Sequence, residues 1–244
     1  MPARIKIIIS LFVTSFLLAA INVTAQKNVS DSTILKNNFS NSISIYYQSL
    51  GDQSRLYNGT KYAGYPYKFS EGIPFFLSDK LQEGAVAYDD VEFQNIHLQY
   101  DELSGAVIMH DENHTIQLLN EKIAWFIIAG FKFINVNNIG QNNTSLASGF
   151  YNILYDGNVS ALKKETKKIR EILAFSGEEK TYVIDTKINY YLKKNNEYVA
   201  INNQKELVDF FHDKKKEMQR FIKTNKLNFK KDPDNTLAKV AEFF

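Results

Sequence analysis

Between residues 84 and 201, apolar side chains recur at every second position in short runs, and each run stops at residues that favour a reverse turn. A period of two leaves one face to bury and one to wet, which is the pattern of a half-buried strand. Turns this tight join neighbouring strands antiparallel. Ala85, Ala87, Val91, Phe93, Ile96 and Leu98 alternate with polar residues around Asp89-Asp90, and Ser104-Gly105 marks the next turn. Val107-Ile108-Met109 and Ile116-Gln117-Leu118-Leu119 flank the polar tip Asp111-Glu112-Asn113. Residues 123–128 and 131–136 read as two strands bent at Gly130; 150–155 and 159–162 pair around Asp156-Gly157; 182–192 and 198–201 pair around Asn195-Asn196. Upstream, in the loop-rich stretch 51–72, Asn58-Gly59 predicts a further hairpin between Leu56-Tyr57 and Tyr62. Past residue 203 the period changes. Leu207, Val208, Phe210, Phe211, Met218, Phe221 and Ile222 fall on one helical arc, with Asn203 and Glu206 as a capping box and Lys214 snorkelling from inside it. Asp232-Pro233 opens a last helix with Leu237, Val240, Ala241 and Phe244 as its stripe. The expected class is α+β, predominantly antiparallel β: a sandwich or partly open barrel of hairpins over residues 45–202, with two C-terminal helices over 203–244 packed on it in one domain.

The first 25 residues predict a signal peptide. Arg4 and Lys6 precede an apolar stretch over 7–20, and Val23-Thr24-Ala25 sets small residues before Gln26, the expected first residue of the mature chain. A membrane anchor is the competing reading, but the run is at the lower length limit for a span, and no integral membrane span is expected in the mature chain. The chain has no cysteine, which excludes a lipidated bacterial anchor, a disulfide scaffold, Cys-ligated metal and a Cys nucleophile. Export without cysteine suits a bacterial periplasm, outer-membrane surface or extracellular space. Residues 26–44 form a polar lead-in expected to be flexible. From Gln26 onward the formal charge is zero, yet residues 26–160 hold 8 basic and 14 acidic side chains and residues 161–244 hold 19 and 13. Lys163-Lys164, Lys167-Lys168 and Lys214-Lys215-Lys216 invite a nucleic-acid reading; export, zero net charge and interleaved acids argue against it, so no nucleic-acid partner is expected.

Candidate chemistry concentrates in three places. His97, His110 and His114 suggest a metal site, but four-residue spacing serves zinc on a helix and here frames a hairpin tip. Tyr57, Tyr62, Tyr65, Tyr67, Phe75 and Phe76 crowd one loop-rich stretch with Phe69. Rings on a loop stack on sugars or grip an apolar peptide; they also plug core ends. Asp89-Asp90-Glu92 and Asp101-Glu102 offer carboxylates for a glycosidase and equally good turn residues. No cofactor motif is present, and none is expected to bind.

Several of these segments also resemble a known group. Leu56-Tyr57-Asn58-Gly59, Pro74-Phe75-Phe76, Leu98-Gln99-Tyr100-Asp101, residues 149–157 and Asp213-Lys214-Lys215-Lys216-Glu217 resemble a family of exported proteins of Bacteroidetes bacteria whose function is unknown. The resemblance spans about residues 45–244; it implies an envelope location and brings no site residue with it. The function expected is a non-enzymatic module that binds an envelope or extracellular partner, whether protein, glycan or lipid. A secreted hydrolase with a carboxylate or histidine site and a structural part of a surface assembly are the alternatives.

Overall fold

The computed structural model describes Ser42, Tyr46, Ser49, Leu50 and residues 54–111, 113–136, 146–173, 180–195 and 197–244. The expected signal peptide, nearly all of the expected lead-in and the polar stretch 137–145 lie outside the described residues. Residues 42–244 make up one body.

Twelve strands among the described residues join into one open sheet. They are β1 (Thr60–Lys61), β2 (Phe69–Glu71), β3 (Gln82–Tyr88), β4 (Val91–Asp101), β5 (Ala106–His110), β6 (Thr115–Gln117), β7 (Ile123–Ile128), β8 (Phe131–Val136), β9 (Gly149–Tyr155), β10 (Val159–Leu173), β11 (Lys180–Lys194) and β12 (Glu197–Ala200). Their order is β1-β6-β5-β4-β3-β7-β8-β9-β10-β11-β12, with β2 added to β11 in parallel and every other pairing antiparallel. The expected antiparallel body with C-terminal helices is therefore present, as a sheet that does not close. Its hairpins turn where the sequence places them. Asp89 and Asp90 both take left-handed backbone (φ 51° and 64°) between the paired Tyr88 and Val91, as a two-residue turn between twisted strands requires.

Two expectations are corrected here. Asn58-Gly59 does not close a hairpin: Arg55–Tyr57 forms a 3-10 turn capped by Ser54, and β1 pairs with β6. Gly59 serves close approach instead, since a Cβ there would stand 2.4 Å from the Gln117 carbonyl oxygen. The first C-terminal helix also divides, into α1 (Gln204–Phe210) and α2 (Lys215–Thr224) across a 3-10 turn at His212–Lys214. Phe211 leaves helical geometry and drives its ring against Phe244, at 4.7 Å between centroids. The final helix α3 (Pro233–Phe243) starts under the Asp232 cap as expected.

Three apolar clusters result. The first gathers Val86, Tyr88, Phe93, Leu98, Tyr100, Phe126, Phe133 and Phe150. The second packs Leu207, Val208, Met218, Ile222, Leu237 and Val240 on Val159, Ala161 and Leu192. The third joins Tyr151, Leu162 and Tyr198. Alternation along β9 and β10 puts the first two on one sheet face and the third on the other. β10 runs on past the expected Leu162, pairing with β11 over fifteen positions. That extension carries a charged seam between the first two clusters.

Candidate functional site

A pocket of about 310 Å³ opens where β4, β5 and the 3-10 turn meet. Its floor is Leu56, Phe93, Ile96 and Met109, with Leu81 exposed at the rim. Local sequence explains the shape. β4 bulges where Gln94 and Asn95 together face Ala85, with Asn95 at φ 55°, which returns Ile96 to the face of Phe93; Ile96 and His97 both line the pocket. The 3-10 turn buries Leu56 and sets Tyr57 over the β5–β6 tip.

Polar groups line one side. His97 and His110 are direct cross-strand partners. The Gln99 amide nitrogen donates to the Asp79 carbonyl at 2.6 Å, so its oxygen is what meets His110 Nε2 at 3.1 Å. His110 Nε2 therefore carries a proton, and Nδ1, 3.2 Å from Thr115 Oγ1, accepts from that hydroxyl. Burial and the neighbouring His97 pull the His110 pKa down, keeping the ring neutral. Asp111 accepts from the Tyr57 hydroxyl and from the Asn113 and His114 N–H groups at 2.8 and 2.6 Å. Burial opposes ionisation there, yet these hydrogen bonds hold the carboxyl down to about 2. His114 meets the Tyr57 ring edge-on at 5.5 Å and lies 3.2 Å from Asp111. Tyr57, His97 and His110 are thus brought to one pocket, with Asp111, which in sequence is only a residue of a hairpin tip. Among the described residues, no three His, Asp or Glu side chains assemble as a metal cage.

The other aromatic candidates go elsewhere. The Tyr62 and Tyr65 hydroxyls donate to Asp101 at 3.0 and 2.7 Å, and burial beside that carboxylate pushes both phenols up. Asp101 also takes the N–H groups of Leu103 and Ser104, so it ties down the β4–β5 turn and does not face a cleft. Tyr67 stacks on Tyr182 at 4.2 Å. Phe75 bridges to Asp101, and Phe76 packs on Phe131 and Phe133 at 5.3 and 5.0 Å as core material.

A second cavity, about 330 Å³, lies over the seam. Lys163, Glu165 and Lys167 point to it from alternate positions of β10, and Ile73, Phe76, Leu77 and Phe131 form its apolar wall. Asp234, in the first turn of α3, accepts from Lys163 at 3.0 Å and from the Tyr190 hydroxyl at 2.5 Å. Lys167 Nζ donates to the Phe75 carbonyl at 2.6 Å and stands 3.0 Å from Glu102. Both side chains of that pair are buried, 7% and 1% exposed. Burial, reinforced by Glu165, pushes the Glu102 carboxyl up to about 7 against the pull of Lys167 and Lys163. The sequence held a signal for this seam: in residues 161–169 a lysine, an acid and a lysine recur every second residue, the spacing of one strand face.

No family model matches the chain, and no curated protein or solved structure matches it either. Among the described residues, no helix is long and apolar enough to cross a membrane.

Proposed function

We propose that this chain is an exported binding protein, without bond-making chemistry, whose pocket beside Tyr57 takes a ligand with an apolar body and a hydrogen-bond-donating or cationic end. One observation carries the reading: a pocket of about 310 Å³ with an apolar floor is edged by Asp111, an anion held ionised by three donors. A fixed anion over an apolar floor recognises such a ligand, whereas a carboxyl held far below neutral pH is a poor proton donor. The leader and the resemblance to exported Bacteroidetes proteins support a site of action outside the cytosol, with an envelope or extracellular partner.

N-phenyl-1-naphthylamine, an apolar aromatic amine that fluoresces on leaving water, is the probe. Saturable binding is expected, weakened about tenfold or more by Ile96→Trp, which fills the pocket. Binding that Ile96→Trp leaves unchanged, or none, refutes the pocket assignment. Amino-terminal sequencing of the protein recovered from the envelope fraction should begin at Gln26.

A hydrolase is the second reading, and one arrangement favours it. Thr115, His110 and Gln99 are linked in the order of nucleophile, base and orienting group. Turnover of p-nitrophenyl acetate that disappears in Thr115→Val would replace the binding reading with this one.

A further inference from the structure

Among the described residues, β11 has a gap in its outer edge. β2 pairs with it only at Tyr182 and Val183, and Gly72 then passes so close to Ile184 that a Cβ would stand 2.8 Å from the Ile184 Cβ. β12 begins pairing at Tyr191, and the Ile201 N–H takes the Tyr190 carbonyl at 2.9 Å. Residues 185–189 lie between, and Asp185, Thr186, Lys187 and Ile188 are all exposed. Peptide groups along a strand point alternately to its two neighbours. The Tyr182 carbonyl accepts from the Ser70 hydroxyl and the Tyr190 carbonyl from Ile201, both on the side away from β10. Thr186 and Ile188, in step with them, direct their N–H and C=O groups outward, and no partner meets these groups among the described residues. Beside the gap, on the face that carries Ile188, a cavity of about 480 Å³ is walled by Ile188, Tyr190, Ile201, Phe229 and Pro233, with Lys230 at its edge.

The geometry points to a peptide-binding edge: a partner's extended segment of about five residues completes the sheet along residues 185–189 and sends an apolar side chain into the cavity. Free backbone donors and acceptors in strand spacing recognise polypeptide, and the flanking β2 and β12 limit its length. Lys187, midway along the gap, and Lys230, at the cavity's edge, favour a segment that carries acidic residues, in line with the excess of 19 basic over 13 acidic side chains in residues 161–244. A second copy of this chain fits poorly. An antiparallel self-pair centred on the gap sets Lys187 opposite its own copy in the closest kind of cross-strand pair.

The test uses the mature chain and a peptide that carries fluorescein on its amino terminus, fluoresceinyl-Glu-Thr-Ile-Thr-Val-Glu-amide, followed by anisotropy. Binding is expected, and a version N-methylated at alternate residues should bind about tenfold more weakly or worse, because it cannot pair with the edge. Thr186→Pro removes an outward N–H where an edge strand tolerates proline, and it should weaken binding as much while circular dichroism stays native. Should that variant unfold, Lys187→Glu serves, with a smaller loss that fades as salt rises. Ile96→Trp should leave this binding unchanged, which separates it from the Tyr57 pocket. Equal binding of the two peptides, no binding up to about 1 mM, or a dimer by sedimentation that Thr186→Pro dissociates would each overturn the proposal.

Discussion

Burial holds the Glu102 carboxyl at about 7, although Lys167 stands 3.0 Å away. Removing two charges from water costs more here than one close pair returns. The consequence for stability has a definite sign. A carboxyl whose folded pKa exceeds its ordinary 4.5 binds its proton more tightly in the folded chain, so its contribution is complete below 4.5 and is lost as pH rises through about 7. The loss amounts to about 3 kcal/mol at most. Burial and His97 lower His110, which works the opposite way, weakening the fold as pH falls below the ordinary 6.5. Glu102→Gln isolates the first effect. Between pH 5 and 8, urea unfolding should show the stability of the variant rising relative to the native chain as pH increases. A difference that stays flat would refute the burial argument. At the pocket, Tyr57→Phe should raise the Asp111 pKa from about 2 toward the ordinary carboxylate value by removing a hydroxyl donor, readable by carbon-13 NMR.

Elements here are set by contacts of very different range. The Asp89-Asp90 turn takes its shape from its own backbone and the strands on either side, and the Asp89 N–H then docks it on the Lys122 carbonyl at 2.9 Å. The pairing of β1 with β6 depends on Gly59 lying flat against Gln117, far along the chain. Gly59→Ala should therefore cost about 1–3 kcal/mol and release β1, seen as faster amide exchange at Thr60 and Lys61. The α1 cap is local. The Glu206 N–H meets Asn203 Oδ1 at 3.0 Å, while the Glu206 carboxylate takes the Asn202 N–H at 2.8 Å. Asn203→Ala should lower stability by about 1 kcal/mol in thermal unfolding, with the sheet unaffected.

Within residues 42–244, the first two apolar clusters are held together by β10 and by what sits on its seam. Lys167 reaches Glu102 and the Phe75 carbonyl on one side, and Lys163 reaches Asp234 of α3 on the other. The only tryptophan, Trp125, lies on β7, the strand that gives Ile123, Phe126 and Ile128 to the first cluster, and the helices lie in the second. Tryptophan fluorescence and the helical dichroism signal should therefore give coincident urea transitions in the native chain, and Lys167→Ala should pull them apart. Separate transitions in the native chain would mean that the seam does not couple the clusters.

The strand and turn pattern, the antiparallel class, both helix caps and the buried stripe of α3 could be read from the sequence, because each is decided within a few residues. Tertiary structure decided what depends on residues distant along the chain. It made Gly59 a contact glycine, broke the helix at Phe211 against Phe244 and carried β10 on through a lysine-rich stretch. It also gathered Tyr57, His97, His110 and Asp111 from three elements into one pocket. Spacing fixes which face a side chain takes on its own strand; which strands become neighbours is settled only when the sheet assembles and buries its apolar face.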